Sequence, residues 1–89
     1  MYSKLIMEKI QEPYQIFIKG LTGRTFSVRA RPGDYVSVIK VQITNATLIE
    51  EKEQLLIFGG RILESTRTIE SYRIGEENTL HLNLRLRGC

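Results

Sequence analysis

The chain has 89 residues, 42% of them hydrophobic and 26% charged, enough for one globular domain and no more. Its 13 basic and 10 acidic residues leave a net charge of +3, spread along the chain without the basic clusters and interleaved aromatics of a nucleic-acid reader. A single cysteine excludes an intrachain disulfide, and no apolar run approaches the ~20 residues that would cross a membrane.

Residues 1–13 read as a flexible N-terminal extension. Leu5, Ile6 and Met7 form its only continuous apolar run, too short for a signal-peptide core, so a soluble intracellular protein is expected. Lys4, Glu8, Lys9 and Glu12 alternate with Leu5, Ile6 and Ile10 at a spacing that supports a marginal helical turn, and Pro13 interrupts it.

From Tyr14 the apolar period becomes two. Ile16 and Ile18 share one strand face, Phe26, Val28 and Ala30 another, and Leu21-Thr22-Gly23-Arg24 joins them as a hairpin loop. Pro32-Gly33-Asp34 ends the second strand. In YVSVIKVQITNA, Val36, Ile39 and Ile43 make a helical stripe, with Asp34 as the expected N-cap or near-cap. The β-branched content also allows a strand, and the spacing together with the cap signal favours the helix. TLIEEKEQ is a polar connection with an anchor at Ile49. LLIFGGRIL reads as a strand, a Gly59-Gly60 turn and a short return strand. Residues 64–78 are irregular, anchored by Ile69, Tyr72 and Ile74. TLHLNLRLR is a last strand with Leu80, Leu82, Leu84 and Leu86 on one side and His81, Asn83, Arg85 and Arg87 on the other. Strands in runs around one helix predict an α+β domain, a sheet with the helix packed across one face.

Catalysis is not expected. The one histidine, His81, and the terminal Cys89 have no positioned partner, no metal-ligand cluster exists, and Gly59-Gly60 lacks phosphate-loop spacing. No cofactor is expected either. Surface recognition remains. A helix covers one sheet face, so Leu55 and Ile57, which alternate with Leu56 and Phe58, fall on the open face with His81 and Asn83. With Leu21 at the hairpin tip, Leu55, Ile57 and His81 form the candidate partner-binding patch, and Gly60 and Asn83 are counted among its residues. Scattered surface hydrophobics are the bland alternative.

The quoted stretches resemble the ubiquitin family. QIFIKGLTGRTFSV is similar to its first hairpin, LLIFGGRILESTRTIESYRI to its middle, and NTLHLNLRLRG to its closing strand and tail, without a gap from Tyr14 to Cys89. The resemblance implies the β-grasp fold over residues 14–84, a flexible tail at 85–89, and a protein modifier conjugated through its C-terminal carboxylate. Arg85, Leu86, Arg87, Gly88 and Cys89 occupy the tail positions, and arginines there suit charge-assisted contacts to acidic surfaces. Implied partners are activating and conjugating enzymes, ubiquitin-binding domains and proteasome receptors, in cytoplasm or nucleus, with no nucleic acid and no membrane. The expected state is a monomer, with a disulfide dimer through Cys89 open to it.

The departures bear on the same sites. Cys89 replaces the family's final glycine, Asn83 a valine of the patch, and Leu55 an arginine that contacts the activating enzyme. Most chain-linking lysines are replaced, by Arg24, Gln42, Ala46, Arg61 and Glu76. Lys19 and Lys40 remain as acceptor candidates, Lys40 partly buried by implication. Leu48, Glu50 and Glu51 stand for a glycine and two prolines, so that loop is expected to be reshaped. A second reading therefore stays open: a non-covalent interaction domain that mimics ubiquitin without being conjugated.

Overall fold

The structure is a computed structural model that describes residues 12–85. The leading residues of the predicted extension and the tail from Leu86 onward lie outside the described residues. The elements follow the predicted order. Strand β1 is Tyr14–Lys19 and β2 is Thr25–Ala30. Helix α1 is Val36–Thr47, followed by a 3-10 turn at Glu51–Glu53. Strands β3 (Gln54–Phe58) and β4 (Arg61–Ile62) form the second hairpin, a 3-10 turn spans Glu70–Tyr72, and β5 is Thr79–Leu84.

The strands make one five-stranded sheet in the order β2-β1-β5-β3-β4. β1 and β5 run parallel and the other pairs antiparallel, so the sheet is mixed. With α1 laid across one face, this is the β-grasp architecture that the resemblance implied.

Side-chain period explains the packing. Val36, Ile39 and Ile43 of α1 are fully buried, and they meet Ile16, Ile18, Leu56 and Leu80 from the sheet. Each buried isoleucine or leucine contributes roughly 1.5–3 kcal/mol of transfer free energy. Ile69, Tyr72 and Ile74 anchor the long irregular segment into this core, as expected, and Ile49 packs against its margin.

Two expectations need correction. Asp34 does not cap α1: its carboxylate accepts the Arg31 amide at 2.8 Å and closes the preceding turn. Tyr35 is the N-cap and makes no side-chain cap. The free amides of the first helical turn are met instead by carbonyls from far along the chain. Val36 N–H donates to Arg67 O at 2.9 Å and Ser37 N–H to Ser65 O at 3.3 Å. The last strand also stops earlier than its alternation suggests. Pairing ends where Gln54 meets Leu84, and Leu84 is already exposed.

The loop after α1 turns at Leu48. Its amide donates to Thr44 O at 2.7 Å, and its φ of 69° lies in the left-handed region that glycine ordinarily fills. Beside it, the fully buried Gln54 amide ties helix to sheet. Gln54 Nε2 lies 3.0 Å from each of Lys40 O, Thr44 Oγ1 and Ile49 O.

Leu48 is 87% exposed, so its side chain gains little from packing and its backbone is strained. Leu48→Gly should raise stability by up to about 1 kcal/mol in urea unfolding. A loss of stability would show that the leucine side chain holds this turn.

Candidate protein-interaction surface

The sheet face opposite α1 is the candidate site. Strand register, more than sequence order, decides which side chains meet there. In β3, Leu56 is fully buried beneath the helix, so Leu55 and Ile57 point the other way. In β5, Leu80 and Leu82 are buried and Thr79, His81 and Asn83 point outward.

Antiparallel pairing places Ile57 opposite His81 and Leu55 opposite Asn83. The parallel pair sets His81 against Lys19 of β1, and the β3–β4 hairpin sets Ile57 against Ile62. Ile62, Ile57, His81 and Lys19 therefore form one row across four strands. Directly opposed Cβ atoms sit about 4.5–5.5 Å apart, so neighbours in the row touch. Ile57, Leu55 and Asn83 are half-buried, while His81 and Lys19 are exposed.

Ile62 is 57% exposed and was not among the candidate residues. The signal for it was present in the Gly59-Gly60 turn. A two-residue hairpin turn pairs the residues flanking it, Phe58 with Arg61, and then the next two out, Ile57 with Ile62. Both glycines have positive φ, 60° and 79°, as the twist-matched hairpin turn requires. Gly60 thus acts by fixing that register.

Leu21 is placed differently. It is 63% exposed in the β1–β2 turn, outside the register rows. It lines a cavity of about 510 Å³ with Phe26, Ala46, Ile49, Leu82 and Leu84, on the side of the sheet that α1 covers. The structure brings Leu55, Ile57, His81 and Asn83 together and adds Ile62, with Leu21 at a neighbouring edge.

The electrostatics of the open face are one-sided. No residue of the five strands is acidic, whereas Lys19 stands in the row itself. The carboxylates lie in turns and connections. Arg61 pairs with Phe58 on the other side of β4, its guanidinium 5.2 Å from the Tyr72 ring centroid, so it does not belong to this face. A neutral-to-basic rim around aliphatic side chains suits a partner that offers aliphatic groups flanked by acidic ones.

The tail leaves from the same strand. The Arg85 amide donates to Glu53 O at 2.8 Å and fixes the point where the chain departs β5. Leu86, Arg87, Gly88 and Cys89 lie outside the described residues. The two acceptor candidates differ sharply. Lys19 is exposed, whereas Lys40 is only 6% exposed and its ammonium donates to Ser65 Oγ at 2.9 Å. Burial, with a smaller push from Arg85, lowers the Lys40 pKa, and Glu51 opposes the shift. Among the described residues no group of three or more metal-ligating side chains occurs.

This geometry agrees with comparisons to known proteins. The sequence model of the Ubiquitin family matches residues 16–87. The chain is 36% identical over 73 residues to Ubiquitin-like protein 1 of Schizosaccharomyces pombe, covering 82% of this chain and 94% of that protein. It is 34% identical over 73 residues to Ubiquitin-like protein NEDD8 of Dictyostelium discoideum, covering 82% and 95%. It is also 37% identical over 57 residues to human Ubiquitin D, where it spans 64% of this chain and 34% of that longer protein. The match runs from β1 past β5 and takes in the mixed sheet, its helix and the open-face row: the chain belongs to the ubiquitin family.

Proposed function

We propose that this protein is a ubiquitin-like modifier, conjugated through its C-terminal carboxylate and recognised through the open sheet face. The observation that carries the recognition half is the row Ile62–Ile57–His81 with Leu55 beside it, an apolar strip on a face with no acidic strand residue. Such a strip receives a helix that has aliphatic side chains along one stripe and carboxylates at its flanks. Family membership supports proteins of the ubiquitin pathway as partners, ubiquitin-binding domains and proteasome receptors among them. The cytoplasm and nucleus are the compartments where such partners act.

Conjugation rests on the tail. LRLRG persists in the sequence to Gly88, and the hydrogen bond from the Arg85 N–H to Glu53 O fixes the residue at its root. The chemistry is supplied by the activating enzyme. ATP adenylates the carboxylate with release of pyrophosphate, the enzyme's thiolate displaces AMP to give a thioester, and an acceptor amine later displaces the thiolate as an amide forms. The protein contributes the carboxylate and the surface, not a catalytic group. Lys19, exposed at the end of β1, is the more accessible acceptor within this chain.

Two residues favour the second reading, a non-covalent mimic of ubiquitin. Cys89 puts a side chain where the family has glycine, and Leu55 puts an aliphatic group where the family has arginine. Leu55 widens the strip toward Asn83, its cross-strand partner.

Incubation with ubiquitin-activating enzyme, ATP and magnesium separates the readings. The native chain should form an ATP-dependent, thiol-cleavable adduct, and Cys89→Ser should form it too, which excludes a simple disulfide. Charging of Cys89→Gly alone would assign the native chain to the non-covalent class, and failure of all three would remove conjugation.

The strip is tested separately by titration with a ubiquitin-binding helix. Ile57→Ala and Ile62→Ala should each weaken binding by about tenfold, equivalent to ~1.4 kcal/mol. Ile62 is too exposed for its loss to unfold the domain, so unchanged affinity in Ile62→Ala would exclude β4 from the interface.

A further inference from the structure

Away from the open face, Lys40, Glu50, Glu51, Lys52, Ser65 and Arg85 line a polar cleft of about 560 Å³. Lys40 reaches it from α1 with its stem in the core and its ammonium at the cleft wall. An ammonium has three N–H donors and normally finds a carboxylate when it is buried. Among the described residues Lys40 forms no ion pair, and its one hydrogen bond is to Ser65 Oγ at 2.9 Å.

Ser65 carries the next step. Because its oxygen accepts from Lys40, its own O–H is directed elsewhere, and among the described residues no acceptor takes it. Its position is fixed by the main chain, since Ser65 O accepts the Ser37 amide at the start of α1. Among the described residues no other side chain lies within hydrogen-bond or ion-pair distance of Lys40 Nζ, and Glu51 lines the cleft beyond that reach. Arg85, whose backbone is pinned to Glu53 O, brings a second cation to the same wall.

The charges decide what fits. Glu50 and Lys52 pair with each other, Nζ to Oε1 at 3.7 Å. Lys40 and Arg85 then face Glu51 alone, which leaves one positive charge in excess. We propose that the cleft binds a single oxyanion, a carboxylate or a phosphate, held by Lys40 Nζ, the Ser65 hydroxyl and the Arg85 guanidinium. An anion there supplies the missing acceptor and separates two cations that otherwise repel. It also grips Arg85, the residue at which the tail leaves the sheet, so occupancy of the cleft stiffens the root of the tail. This site is independent of the open-face strip and does not require conjugation.

The test is nuclear magnetic resonance on the full chain. Sodium phosphate is titrated at constant ionic strength, with chloride as the balancing salt and acetate in a parallel arm. The amides of Ser65 and Arg85 should shift saturably, and the lowered Lys40 pKa should rise toward its ordinary value as the anion binds. Ser65→Ala and Arg85→Gln should each weaken binding by about tenfold or more. Lys52→Gln, which removes a charge outside the proposed ligand set, should change it less than about threefold. Phosphate binding without acetate binding assigns the site to phosphate groups, acetate binding without phosphate binding to carboxylates, and binding of both to oxyanions of either class. Shifts that never saturate, or that persist unchanged in Ser65→Ala and Arg85→Gln, would reduce the effect to general screening and overturn the site.

Discussion

One helix has to serve a five-stranded sheet. The apolar stripe of α1 seals one face through Val36, Ile39 and Ile43, and nothing among the described residues covers the other. The remaining features follow from this inequality. The covered face is mainly apolar at alternate strand positions, with Ile16, Ile18, Val28, Leu56, Leu80 and Leu82 buried and Gln54 as its buried polar exception. The open face has to be tolerable in water, yet it retains Leu55, Ile57 and Ile62 in adjoining register positions. On the function proposed here, that retained apolar strip is the part of the fold that a partner would complete.

Much of the architecture was legible because strand alternation and turn chemistry are local. Ile16 and Ile18, Val28 and Ala30, and Leu80 and Leu82 declared the buried face by period two, and Gly59-Gly60 declared the second hairpin. The features that were not legible depend on contacts between distant parts of the chain. Asp34 looked like a helix cap, but Ser65 and Arg67 supply the acceptors that make a side-chain cap unnecessary. Leu84 looked like a further core position, but β3 offers no partner beyond Gln54. Leu21 is exposed in the β1–β2 turn, and the sequence did not show that it also lines a cavity with Ile49 and Leu84. Ile62 could have been found from hairpin arithmetic alone, since turn length fixes register. The family resemblance supplied the role proposed for the tail and the expectation that Lys40 is enclosed, neither of which a pattern of apolar residues reveals.

The molecule also presents a second apolar surface. Lys40 is the only charged residue of α1, and it is buried. The solvent side of the helix consequently carries Val38 and Val41, with Leu48 beyond its end, and no charge. Uncharged helix surface beside exposed leucine lowers solubility, and it competes in principle with the open sheet face for apolar partners. The two surfaces differ in their surroundings. Basic groups border the sheet strip, and polar neutral side chains such as Ser37, Gln42 and Asn45 border the helix stripe. Charge complementarity therefore favours the sheet face for an acidic partner.

The most direct measurement is a map of amide shifts as a ubiquitin-binding helix is titrated into the isotope-labelled protein. Perturbations concentrated at Leu55, Ile57, Ile62 and His81, with α1 silent, are the expected result. Perturbations concentrated at Val38, Val41 and Leu48, with β3 and β4 silent, would contradict the account and move recognition to the opposite side of the molecule.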